Sequence, residues 1–303
     1  MSPRTMLASV VLFGAVLTSS VALAFRTTRD LPEAALVTNA VRWASNAPTV
    51  YVNERGSADL ATPDLLSAAQ SAFAAWSAPS CADLHPIVAG TTALDTVADD
   101  GAAVIAWREA GWSELGYSPA QIAVTRMEYV HDSATEWSLG GADIAMNGEN
   151  YTWVIEGGMA GSATVDVQTL LTHEAGHFLG LAHPCEVGGA NAAPSCGMLY
   201  PTTAPTMTPG YFGQAGRTLE SDDIEGICFL YPSTSAADAG VPDTDGGIAG
   251  DAAIGSDAGT TPASEAGCSV SRFNHSGSGH ISYIVMAALG VWVGRRRPRH
   301  GIR

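Results

Sequence analysis

Apolar residues fall into three regimes along the chain. Two long, mostly apolar runs lie near the ends, at 6–17 and 281–293, a stretch at 232–267 has almost no large apolar side chains, and shorter broken runs fill the region between. In that central region Thr49-Val50-Tyr51-Val52-Asn53 reads as a strand. Residues 63–77 carry helix signals, with Thr62 as N-cap and Pro63 at the first helical position. Further strand signals follow at 102–107, 121–130, 142–146 and 151–155, and Asp166 is placed to cap the next helix. The order is strand, helix, several strands, then a second helix.

The flanks read differently. Arg4 precedes the first apolar run, and Ala22-Leu23-Ala24 has the small-x-small form of a signal-peptidase site, so 1–24 is expected to be a secretory signal and the mature chain to begin near Phe25. The run is short for an uncleaved bilayer span. Residues 25–231 have the length of one well-buried domain. Residues 232–267, rich in Ala, Gly, Asp, Ser, Thr and Pro, cannot bury enough surface to offset their ordering entropy and read as an acidic linker without a regular calcium-binding repeat.

The second helix carries the chemistry. His173-Glu174-Ala175-Gly176-His177-Phe178-Leu179-Gly180-Leu181-Ala182-His183 reads HExxHxxGxxH. On a helix His173 and His177 share a face, so both imidazoles reach one cation, and Glu174 projects beside the metal's open position. Gly180 lets the chain leave the helix through a left-handed turn, which returns His183 to the same ion. A buried helix with incidental histidines would account for Leu170, Phe178, Leu179 and Leu181, but not for a glycine and a third histidine at these offsets.

This pattern resembles the metzincin zinc metallopeptidases, and within them the matrixin-like branch. Pro205-Thr206-Met207-Thr208-Pro209 looks like the branch's methionine turn, and Arg217-Thr218-Leu219-Glu220-Ser221-Asp222-Asp223-Ile224-Glu225-Gly226-Ile227 looks like its C-terminal helix. Met198, followed by Tyr200, is the alternative Met-turn, as in the astacin and serralysin branches. The resemblance covers roughly 40–231. It implies an α+β fold: a twisted, mostly parallel sheet with an antiparallel edge strand, an active-site helix and a C-terminal helix. It implies a zinc endopeptidase with His173, His177 and His183 as metal ligands, Glu174 as general base, and 208–212 as a wall of the specificity pocket. Residues 122–129 would be the edge strand, able to bind an extended peptide by strand addition; an ordinary half-buried strand is the alternative.

Three departures from the animal matrixins stand out. The gap from His183 to Met207 is longer and contains Cys185 and Cys196, no cysteine-switch sequence precedes the catalytic region, and Gly141 to Glu149 holds Ala145 and Asn147 where matrixins carry ligands. A structural zinc is therefore not expected, and Ca2+ is compatible with the resemblance but supported by no specific motif.

Charge and cysteine usage bound the partners. Between 25 and 267 seven arginines face all thirty acidic residues, a formal balance of −23, which repels nucleic acid and fits either solubility of an exported protein or a preference for basic substrates. The resemblance implies a monomer acting on protein or peptide substrates. Four cysteines in an exported domain allow three disulfide pairings; proximity favours Cys185 with Cys196, leaving Cys81 for Cys228. At the C-terminus, 268–303, Cys268, the apolar run at 281–293 and Arg295-Arg296-Arg297 resemble the sorting tails of exported myxobacterial proteins. The resemblance implies a transient transmembrane helix, processing near Cys268, and display at the cell surface or release to the extracellular space. The apolar run is shorter than a standard span, and a plain amphipathic tail is the alternative.

Overall fold

The structure, a computed structural model, describes residues 25–28, 39–95, 101–131, 133, 136–186, 193–196, 204–211 and 213–233, with the backbone of 270–273 and 281–288. In chain order its elements are β1 (Arg26–Thr27), β2 (Thr49–Asn53), α1 (Thr62–Ser77), β3 (Ile87–Thr92), β4 (Val104–Arg108), β5 (Gln121–His131), β6 (Trp137–Asn147), β7 (Thr152–Val154), β8 (Thr164–Asp166), α2 (Val167–Phe178), β9 (Leu181–Ala182), α3 (Ser221–Leu230), β10 (Val270–Phe273) and β11 (Ile281–Ala288). The class is α+β.

Parallel pairing of β3, β2, β4 and β6 builds the body of the sheet, and β5 runs antiparallel beside β6. Among these five strands three of four pairings are parallel, in line with the expected mostly parallel sheet, but the antiparallel β5 is not at the edge, because β11 and β10 continue the sheet beyond it. Strands β4, β5 and β6 are buried on both faces over most of their length, β4 as an apolar run and β5 and β6 with buried polar residues such as Thr125, Glu128, Asp143 and Asn147 among the apolar ones.

Helix α1 forms because Leu65, Ala68, Ala69, Ala72, Phe73 and Trp76 recur every three or four residues and give one buried stripe. Its start differs by one residue from the sequence expectation. Ala61, not Thr62, is the N-cap, with no side-chain capping bond, because the Ala61 carbonyl already accepts from Asp64 and Leu65 at 3.0 and 3.1 Å. Thr62 belongs to the helix, and its hydroxyl sits beside Gly56.

Helix α2 packs against α1 on one side and against β5 and β6 on another, and every residue except Gln168 is buried. Asp166 caps it, accepting from the Thr169 amide at 2.9 Å. The opposite end is closed by side chains: Trp43 Nε1 donates to the Phe178 carbonyl at 2.7 Å, and the Tyr231 hydroxyl donates to the Leu179 carbonyl at 3.0 Å. These satisfy carbonyls that a helix end leaves without partners. Gly180 then turns the chain with φ +105, where a Cβ would strike the Val41 carbonyl oxygen. The following strand, β9, pairs antiparallel with β1 near the expected mature N-terminus.

Three sequence expectations change. Strand β3 had no strong signal, because its residues alternate between exposed and half-buried and Gly90 sits at φ +104 where the register with β2 shifts. The strand at 122–129 is not an edge strand, since β11 pairs antiparallel with β5 from Ile281 opposite Tyr129 to Ala288 opposite Gln121, with β10 outside it. The apolar run at 281–293 therefore supplies a strand and not a membrane helix over 281–288: Ile281, Tyr283, Ile284 and Val285 favour a pleated surface, and the segment is short for a span. Among the described residues no helix is long and apolar enough to cross a membrane.

Candidate metal centre

Helix α2 and the turn after it bring His173, His177 and His183 together. Their ring nitrogens lie within 4.8 Å of one another, and all three residues are buried. The Nε2 atom of His183 stands 3.1 Å from that of His173 and 3.0 Å from that of His177.

The partners of the other ring nitrogens decide what these contacts mean. His173 Nδ1 is 2.5 Å from the Thr206 carbonyl, His177 Nδ1 is 2.8 Å from the Leu181 carbonyl, and His183 Nδ1 is 3.1 Å from a Glu186 carboxylate oxygen. None of these oxygens can donate, so each neutral imidazole must place its proton on Nδ1. Three Nε2 lone pairs then face one another and repel unless a cation lies among them. Nitrogens bound at about 2.0–2.1 Å to a tetrahedral ion sit roughly 3.3 Å apart, close to the two separations found. The donor set fits a metal ion.

Burial keeps His173 and His177 in their neutral, metal-binding form. It is the main cause that lowers His173 to about 3, with His183 adding to it and the Thr206 carbonyl opposing it. Burial also holds His177 well below the ordinary histidine range, helped by the other two histidines.

Glu174 completes the cluster. It is fully buried, Thr125 Oγ1 on β5 donates to its Oε2 at 2.5 Å, and its Oε1 makes no hydrogen bond among the described residues. Burial raises its carboxyl to about 8 and the Thr125 hydroxyl pulls the other way. A buried carboxylate oxygen without a partner is costly, and a water held by a metal among the histidines would supply one.

The segment around Met207 braces this assembly from the other side. Thr206 and Met207 donate their amides to the two carboxylate oxygens of Asp223 at 2.8 and 3.1 Å, and Glu220 donates to the same group at 2.9 Å. Asp223 is also the third helical residue of a capping box with Glu220 at the start of α3. The C-terminal helix thus holds the turn whose Thr206 carbonyl orients His173. Met207 is buried, and its sulfur lies against Gly176, between two of the histidines on α2. Of the expected wall at 208–212, Thr208 and Tyr211 are buried. The Tyr211 hydroxyl accepts from the Asp166 amide at 2.7 Å, so it braces the start of α2. Arg217 grips the Asp166 carboxylate with two of its nitrogens.

Two disulfides are present. Cys185 joins Cys196 with Cα atoms 4.9 Å apart, and Cys81 joins Cys228 at 5.4 Å. Met198, the signal at 1–24, Cys268, the arginines at 295–297 and nearly all of the linker lie outside the described residues. Thr125 reaches the site without any mark in the sequence, because strand register, not fixed spacing, brings it there, and Glu186 lies three positions beyond His183, outside the eleven-residue motif. Comparison with models of known protein families finds no match, and no curated protein matches the chain.

Proposed function

We propose that the chain is an exported zinc-dependent endopeptidase of metzincin type, in its matrixin-like branch, acting on protein or peptide substrates. The observation that carries this reading is the convergence of three Nε2 lone pairs beside a buried carboxylate, Glu174, that has one oxygen without a partner. The eleven-residue motif supplies the class, and Met207 packed beneath α2 supports its assignment as the Met-turn.

A bound zinc ion would lower the pKa of a coordinated water and polarise the scissile carbonyl. Glu174 accepts the water's proton through Oε1 and passes it to the departing amine; Thr125 holds Oε2 and keeps the carboxylate aimed. The neutral histidines hold the cation without adding charge, and the carbonyls of Thr206 and Leu181 with the Glu186 carboxylate fix their tautomers. Export is supported by the 1–24 signal and by two disulfides, which suit an oxidising compartment. Processing near Cys268, with surface display or release, is the reading of the tail.

Glu174→Gln tests the chemistry. The variant is expected to bind one zinc per chain, because the histidines remain, while casein or peptide hydrolysis falls roughly 10²- to 10⁴-fold, as for loss of a general base. Zinc content by mass spectrometry and initial rates with and without a chelator check this. Zinc binding without any hydrolysis by the parent chain would leave a zinc-stabilised binding protein instead.

A further inference from the structure

Two of the three metal-facing histidines are held by backbone carbonyls, and the third is not. His183 Nδ1 meets Glu186 Oε1 at 3.1 Å, and the side chains are only 1% and 4% exposed. A carboxylate that deeply buried is costly unless a charge or a strong donor answers it. The chain around it is built to keep it in place. The Glu186 amide donates to the Pro194 carbonyl at 2.9 Å, its own carbonyl accepts from the Cys196 amide at 3.3 Å, and the Cys185–Cys196 disulfide closes the loop beside it. The segment between His183 and Met207, longer here than in the proteins the motif resembles, begins by delivering this one acidic group to the third histidine.

Charge counting gives the reason. Three neutral imidazoles leave a divalent ion with both its charges, and Glu174 offsets one of them. A second buried carboxylate one imidazole away offsets the other.

We propose that Glu186 is a positioning residue for the metal, its carboxylate fixing the ring and tautomer of His183 and raising the basicity of His183 Nε2, with the Cys185–Cys196 disulfide as the support that holds Glu186 there. The proposal rests on the reading of the histidines as a zinc site. A carboxylate behind a metal-bound histidine typically changes metal affinity 10- to 100-fold.

The test uses the full chain and zinc alone, with affinity measured by competition against a chromophoric chelator. Glu186→Ala is expected to bind zinc about 10- to 100-fold more weakly than the parent. Glu186→Gln, which keeps an acceptor oxygen without the charge, should recover part of that loss. The Cys185→Ser/Cys196→Ser double variant should weaken binding in the same direction. Cobalt-loaded Glu186→Gln should show shifted visible bands, a change in the ligand field that mere loosening of a distant loop would not produce. Should Glu186→Ala fail to fold, Glu186→Gln decides: weaker zinc binding with shifted cobalt bands supports the proposal, and parental values for both overturn it. A parent chain that binds no zinc overturns the metal site itself, whereas a zinc-binding parent matched by both Glu186 variants overturns only the role of Glu186.

Discussion

Gly176 stands between His173 and His177 on α2 because a larger side chain has nowhere to go. A Cβ there would overlap the Met207 sulfur and come within 2.8 Å of Trp76 Cζ2. Two effects compete in Gly176→Ala. Alanine gains roughly 1 kcal/mol of helix propensity over glycine, whereas overpacking a close-packed core costs typically about 1–3 kcal/mol. Trp76 cannot retreat easily, since its Nε1 is tied to the Thr172 carbonyl at 2.9 Å and the residue is fully buried. Overpacking should outweigh propensity, and Gly176→Ala should lose up to about 2 kcal/mol in urea unfolding of the metal-free protein. A gain in stability would mean that Met207 does not press on the helix.

Elements matter here by what they hold in register. Helix α3 lies far from the histidines in sequence, yet its Asp223 accepts three backbone amides and so fixes the turn whose carbonyl orients His173. Asparagine at 223 would turn an amide group toward one or more of those donors. Bonds to a charged acceptor contribute about 1.5–3 kcal/mol, so Asp223→Asn should lower stability by roughly that amount and weaken zinc binding, while α3 stays helical. Denaturant unfolding and chelator competition measure the two effects. Unchanged zinc affinity would disconnect the turn from the metal site.

The same elements explain what the sequence could tell. The cap Asp166, the break at Gly180 and the converging histidines follow from local spacing, so they are legible in 173–183 and just before it. Thr125 comes from the register of β5 against its neighbours, with Thr125 opposite Ile144, and no spacing rule links it to Glu174. Strand β3 hides behind its glycine bulge, and a short apolar run such as 281–288 fits a membrane segment or a strand until its partner is known.

Across the whole molecule, α2 is held by two supports that start far apart in the chain. Helix α1 packs along it through Trp76, and α3 holds the Met207 turn, both meeting α2 at Gly176; Cys81, just after α1, is bonded to Cys228 in α3. The link closes 147 positions of sequence, a loop long enough for the chain-entropy model to give a large effect. Removing a native disulfide of this kind typically costs about 2–5 kcal/mol, so the Cys81→Ser/Cys228→Ser variant should show a clearly lower denaturant midpoint than the parent. Zinc held by the histidines as proposed would work against that loss, because a ligand bound only by the folded chain adds about 2.7 kcal/mol at a hundredfold excess over its Kd. The double variant should therefore depend far more on added zinc for its folded population than the parent does. Equal midpoints for both chains, metal-free and zinc-loaded, would mean that the link adds no constraint and that α1 and α3 hold the site by packing alone.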